Sequence, residues 1–125
     1  MAFVKCTLTE VEKSLIRLDE ERYIPKYDNW SCVRNVENGA VFTQLISNTQ
    51  EMLDGFYWYI LLINGKQAII SISYAYSLQK QVDGKNYLEG YLSGCDADLS
   101  KDLVGKMASE AMDVLSDYKE TLIVR

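Results

Sequence analysis

The chain has 125 residues, 18 acidic against 13 basic and none of them histidine, for a net charge of −5. That length suits one domain with a real core, so residues 1–125 are read as a single unit. Nucleic-acid binding rests on basic groups that neutralise phosphates, and here Lys and Arg are scattered, so direct nucleic-acid contact is not expected. An anionic membrane surface is disfavoured for the same reason, and a basic protein partner is favoured.

The first residues turn polar too quickly for a signal peptide. The longest apolar stretch, residues 56–63, is far shorter than the roughly 20 residues that span a bilayer. Cys6, Cys32 and Cys95 are odd in number and widely spaced. With no secretory signal they read as free thiols in a reducing compartment, which predicts a cytoplasmic protein.

In chain order, residues 2–7 suit a short strand or extended arm. Thr9 and Glu12 have the spacing of a capping box. Val11, Leu15 and Leu18 then form an apolar stripe, predicting an amphipathic helix that ends near Arg22. Pro25 stops it, and residues 23–29 read as a linker. Residues 31–36 and 40–46 predict two strands joined through Glu37-Asn38-Gly39, because Asn and Gly tolerate positive φ. Residues 47–54 read as a polar connection.

Residues 55–76 carry the clearest local pattern, two apolar strands around Asn64-Gly65. A two-residue loop there sets Tyr59 against Ile70 and Tyr57 against Ile72. Residues 56–63 are apolar on both faces, so both faces need cover. The return strand has Ser71 and Ser73 on the Trp58 side, which predicts that this is the half-exposed face. Residues 79–92 suit a further hairpin around Asp83-Gly84, and residues 93–98 a loop or sharp bend. Ser100 opens a long helix whose stripe of Leu103, Met107, Ala111 and Leu115 is expected to face the core, with Val104 and Ala108 alongside. Residues 121–124 suit a last strand on a sheet edge. The whole predicts an α+β fold: an antiparallel sheet of four to six strands with an N-terminal and a long C-terminal helix packed on it.

Without histidine the common catalytic triads and the commonest neutral metal ligand are missing. The cysteines lack zinc spacing, and Asp96 beside Cys95 would hold that thiol protonated. Asp96, Asp98 and Asp102 lack the regular alternation of a calcium loop and suit capping of the long helix, with Asp98 or Ser100 as the cap. No catalytic residue, metal or cofactor is therefore expected. Two segments place acids beside aromatic side chains, which are common interface anchors. The first holds Glu89, Tyr91, Asp96 and Asp98. The second holds Asp19, Glu20 and Asp28.

In size, acidity, aromatic-rich body and lack of a catalytic set, the chain resembles the small acidic immunity proteins of bacteria, which neutralise a cognate toxin such as a nuclease. That resemblance implies a non-catalytic inhibitor of a basic protein. The alternative is a secretion chaperone or adaptor, similar in length and acidity, which holds a client segment as a homodimer. Monomer and homodimer both fit the sequence.

Overall fold

A computed structural model describes residues 2–17, 23–25, 32–47, 56–73, 80–82, 85–115 and 121–125. Among them nine strands join in one sheet: β1 Phe3–Lys5, β2 Tyr23–Pro25, β3 Cys32–Asn35, β4 Val41–Ser47, β5 Phe56–Ile63, β6 Lys66–Ser73, β7 Lys80–Val82, β8 Lys85–Cys95 and β9 Thr121–Val124. Two helices accompany them, α1 Glu10–Leu15 and α2 Lys101–Leu115.

The β5–β6 hairpin follows the local chemistry. Asn64 and Gly65 have φ of 51° and 77°, the pair of positive values that a two-residue turn between twisted strands requires. Ile63 pairs with Lys66, Tyr59 with Ile70 and Tyr57 with Ile72, the expected register. The β3–β4 turn is built by asparagines. The buried Asn35 accepts hydrogen bonds on Oδ1 from Glu37 N (2.9 Å) and Asn38 N (3.2 Å), and Asn38 Oδ1 accepts from Ala40 N (2.9 Å). The buried amide oxygen is thereby satisfied. In the third hairpin Val82 pairs with Lys85, leaving two residues between the strands. The connecting pair Asp83-Gly84 lies outside the described residues.

The pairings correct the expected sheet. It is larger than four to six strands, and it is mixed. Gly90 pairs antiparallel with Ile72 on one side and parallel with Val124 on the other. Strand β9 therefore occupies the outer edge of β8, and β8–α2–β9 is a helix crossover of the kind a parallel pair needs. Residues 23–25 are strand β2, paired with β4 from Pro25↔Leu45 to Tyr23↔Ser47, where a linker was expected. Residues 93–95 stay in β8, where a bend was expected. Ile69 pairs with Gly94 and Ile70 with Leu92, so Ser93 is the extra residue of a bulge that absorbs the irregularity without ending the strand.

The N-terminal helix is also corrected. The capping box forms, with Glu12 N donating to Thr9 Oγ1 and Thr9 N to Glu12 Oε1. The helix nevertheless stops at Leu15 and buries none of its residues, so no N-terminal helix packs on the sheet. Ile16 is extended (φ −76°, ψ 124°). Arg17 N then donates to Gln67 Oε1 at 2.8 Å, while Gln67 Nε2 donates to Arg17 O. A single turn and a half of helix is weak alone. The Gln67 amide offers the next backbone groups a competing partner, and the expected stripe of Val11 and Leu15 lies in solvent.

Helix α2 covers the first sheet face. Val104, Met107, Ala108, Ala111, Met112 and Leu115 are buried against Val33, Phe42, Leu61, Ile70 and Ile72. Phe42 and Tyr59 stack at 5.3 Å between ring centroids. α2 touches β1 and β3 near one edge of the sheet and β9 at the other, so the sheet curls around it. The buried stripe is rotated from the expected one: Leu103 is 43% exposed and Val104 is buried. The second face carries a smaller cluster. Cys6, Leu8 and Ile16, from the N-terminal segment, pack on Cys32, Val41 and Leu62.

Two outcomes follow for α2. Leu115→Ala is expected to cost about 2–4 kcal/mol and Leu103→Ala less than about 1 kcal/mol in urea unfolding, since only the first opens a cavity. Gly105 lies where an added Cβ would meet Val124 Cβ at 3.6 Å, an ordinary contact. Gly105→Ala is therefore expected to raise stability by about 0.5–1 kcal/mol through helix propensity. A loss at that position would mean that the α2–β9 contact cannot accept a methyl group.

Candidate binding surface

Strand β8 sends alternate side chains to opposite faces. Glu89, Tyr91 and Ser93 fall on the second face, the one that α2 does not cover. Tyr91 is opposite Ser71 of β6, and Ser71 and Ser93 share a hydroxyl hydrogen bond of 3.2 Å. Tyr91 is 43% exposed, a large aromatic side chain standing over small neighbours. On the outer side, Arg125 N donates to Gly90 O (2.7 Å), and Leu92 N donates to Arg125 O (3.2 Å). This extension of β9 turns the Arg125 guanidinium to the same face, where its Nε donates to Glu89 Oε1 at 3.2 Å. The face expected to be half-exposed is largely covered: Ser71, Ile60 and Leu62 on it are buried, and Tyr91 at the β8 position is exposed.

Asp96 and Asp98 lie beyond the end of β8. The Asp96 carboxylate accepts from Gln67 N at 2.9 Å and pairs with Arg17. Its backbone also binds, with Asp96 N donating to Gln67 O and Leu99 N donating to Asp96 O, both at 3.0 Å. Asp98 pairs with Lys66. The Gln67 N–H, with Arg17 behind it, holds the Asp96 carboxyl below its ordinary value, and Lys66 does the same for Asp98. Both stay charged at neutral pH. The α2 cap is Ser100, whose Oγ accepts from Leu103 N at 3.1 Å. Burial raises the Cys95 thiol, and Asp96 and Asp98 add to the rise.

The four residues of the first acidic segment therefore form two places. Glu89 and Tyr91 share a sheet face. Asp96 lies five residues further along the strand, about 15 Å from Tyr91 at strand rise. The segment's own sequence holds no balancing cation, but the fold supplies one to each acid: Arg125, Arg17 and Lys66. No sequence signal marks these partners, since Arg17 and Asp96 are 79 positions apart. Asp19, Glu20 and Asp28 lie outside the described residues.

Two other groupings fall elsewhere. Cys6 and Cys32 meet with their sulfurs 2.9 Å apart. Beside them Arg34 clasps Glu12, Nε donating to Oε2 at 2.9 Å and Nη2 to Oε1, and Arg34 Nη2 also reaches Thr7 O at 3.0 Å. A cavity of about 330 Å³ is lined, among the described residues, by Ala2, Phe3, Glu37 and Glu110. Among the described residues no three His, Cys, Asp or Glu side chains stand together as a metal site, and no helix is long and apolar enough to cross a membrane.

No family model matches the chain, and no curated protein or solved structure matches it.

The Glu12–Arg34 clasp carries a pH signature. Burial pushes the Glu12 carboxyl up, but the hydrogen bonds from Arg34 and from Thr9 N outweigh it and hold the group below its ordinary 4.5. A depressed folded value contributes stability above the unfolded value, and that stability is lost as pH falls through the folded one. Glu12→Gln is expected to cost about 1 kcal/mol at pH 7. The gap from wild type is expected to narrow steadily below pH 4.5 in parallel unfolding curves. A gap that stays constant down to pH 3 would show that the carboxylate charge contributes nothing.

Proposed function

We propose that this chain is a non-catalytic, cytoplasmic binding protein that neutralises a basic protein partner, in the manner of an immunity protein acting on a toxin. The observation that carries the reading is Tyr91, an aromatic side chain 43% exposed on the sheet face that α2 does not cover. A rigid aromatic ring is a low-entropy anchor, and anchors of this type dominate binding energies.

The charges around it support the same reading in a particular way. Glu89, whose side chain is only 12% exposed, pairs with Arg125, whose side chain is 54% exposed. Asp98 is 61% exposed, beside a Lys66 that is 44% exposed. An exposed pair such as Asp98–Lys66 contributes little to stability. An incoming Arg or Lys of a basic partner can replace the internal cation at small cost. The net charge of −5 draws such a partner in. Asp96 is tied to backbone as well as to Arg17 and belongs to the frame of the corner. On this reading Asp98 meets the partner while Asp96 holds the loop.

The test is a pull-down from the native host followed by binding kinetics on the recovered basic protein at low and high salt. Tyr91→Ala is expected to raise the dissociation rate at least about tenfold. Glu89→Gln with Asp98→Asn is expected to lower the association rate at low salt, with the difference closing as salt screens the field. Wild-type rates in all these variants, each confirmed folded, would remove this surface. A salt-independent wild type would remove the electrostatic capture.

A further inference from the structure

The fold brings two of the three cysteines together on the second sheet face. Lys5 pairs with Val33, so Cys6 and Cys32 stand at the next rung, and Cys6 N donates to Cys32 O at 3.0 Å. Side chains directly opposite on neighbouring antiparallel strands lie close to the separation a disulfide spans. Their sulfurs are 2.9 Å apart, as a hydrogen-bonded thiol pair. Both are buried, Cys32 completely and Cys6 at 9% exposure, among Leu8, Ile16, Val41 and Leu62.

We propose that Cys6 and Cys32 are a reversible dithiol–disulfide pair, closed by exchange with a low-molecular-weight disulfide. The proposal does not depend on the Tyr91 surface.

The two thiols are unequal. The hydrogen bond from Cys32 holds the Cys6 thiol below its ordinary value against the opposing effect of burial, with Arg34 as the favourable charge nearby. Donating that bond, together with burial, raises Cys32. Of the two, Cys6 alone keeps any exposure, 9% against none for Cys32. Cys6 is therefore the attacking thiolate and Cys32 the resolving one. The Cys6 sulfur attacks one sulfur of the small disulfide, that S–S bond breaks, and the first small thiolate leaves with a proton from solvent. Cys32 gives up its proton and attacks the Cys6 sulfur of the mixed disulfide, expelling the second small thiolate, which takes up a proton. The protein loses two electrons and two protons, and the small disulfide becomes two thiols. The bond ties the N-terminal segment covering Val41 and Leu62 to the sheet beneath it.

Cys95 is the internal control. It is exposed, but burial of its sulfur together with Asp96 and Asp98 holds it protonated, and its Sγ points to Leu99 O at 3.7 Å. Exposure alone would make Cys95 the reacting thiol, so the identity of the linked residues separates the proposal from simple accessibility.

The test uses the full-length folded chain, incubated with oxidised glutathione, quenched in acid, alkylated, digested and mapped by mass spectrometry. The expected product is a peptide joined through Cys6 and Cys32, with Cys95 alkylated, reversed by dithiothreitol. The oxidised protein is expected to melt about 10 °C higher, because the crosslink closes a loop of intermediate length in the unfolded chain. Cys95→Ser is expected to close as wild type does. Cys32→Ala is expected to stop at a glutathione adduct on Cys6. The wild-type map decides the question even if Cys32→Ala does not fold. Cys6 and Cys32 both alkylated after incubation, a lasting glutathione adduct on wild-type Cys6, or linkage only in denaturant would each overturn the proposal.

Discussion

Strand β5 is apolar on both faces, and burying both at once determines how the remainder of the chain is used. Leu61 and Ile63 point to one side, Ile60 and Leu62 to the other, and all four are buried. Each such side chain contributes about 1.5–3 kcal/mol when removed from water. A single helix covers only one side. α2 takes the side of Leu61 and Phe42, and the sheet curls so that both edges reach it. The other side, at Leu62, is closed by irregular chain: Cys6, Leu8 and Ile16. That is why the segment after β1 runs across the sheet, and why its helix is short. Arg17 must reach Gln67, next to the β5–β6 turn, and a helix continued to Arg22 would carry the chain away from that contact.

The same curl decides where the charges end. α2 crosses from the end of β8 to the outer edge, so β9 brings Arg125 back beside Glu89. The N-terminal segment, in crossing the second face, brings Arg17 to Asp96. The hairpin turn places Lys66 beside Asp98. A segment acidic in sequence becomes a surface of paired charges in space. Pairing does not abolish the chain's negative field, since the net charge remains −5. It sets a cation beside each of Glu89, Asp96 and Asp98, and of these the Asp98–Lys66 pair is the one exposed on both sides.

The legible parts of the fold are those specified within about ten residues. Asn64-Gly65 sets the register of β5 and β6, because positive φ at both positions admits one turn type. Thr9 and Glu12 cap each other, because both partners sit three residues apart. α2 is legible as a helix, but its buried face is not. Leu103 and Val104 are both apolar and 100° apart on the helix, and only the position of Val124 and the sheet decides which of them goes inward. The direction of β9 is hidden for a similar reason, since residue pattern marks a strand without marking its polarity. The helix between β8 and β9 was the available hint, because a parallel neighbour needs such a crossover. Strand β2 was obscured by Pro25, which reads as a breaker yet is tolerated in a short strand on the edge of its neighbour. Tyr91 and Glu89 were legible as a candidate surface. The cations facing the acids were not, because their partners come from other parts of the chain. The thiol pair was only half visible: both cysteines fall in predicted strands, but nothing local pairs those strands.

The exposed aromatic residue and the exposed Asp98–Lys66 pair belong together physically. A salt bridge between a basic partner and a free carboxylate costs the desolvation of both ions, which can cancel the attraction. A carboxylate already facing a cation has given up part of its hydration, so exchanging one cation for another asks less of it. The attraction that remains acts at long range and speeds the encounter, while the lifetime of the complex depends on what is buried at contact. Among the described residues of this sheet face, Tyr91 is a side chain able to supply that burial, held in place by a strand paired on both edges. A rigid strand gives the ring a fixed direction, so little conformational freedom is lost when a partner covers it. Tight binding through this face thus demands a partner with an apolar pocket for one phenol ring and basic side chains spaced to reach Glu89 and Asp98, and a flat basic surface without the pocket would associate quickly and leave just as quickly.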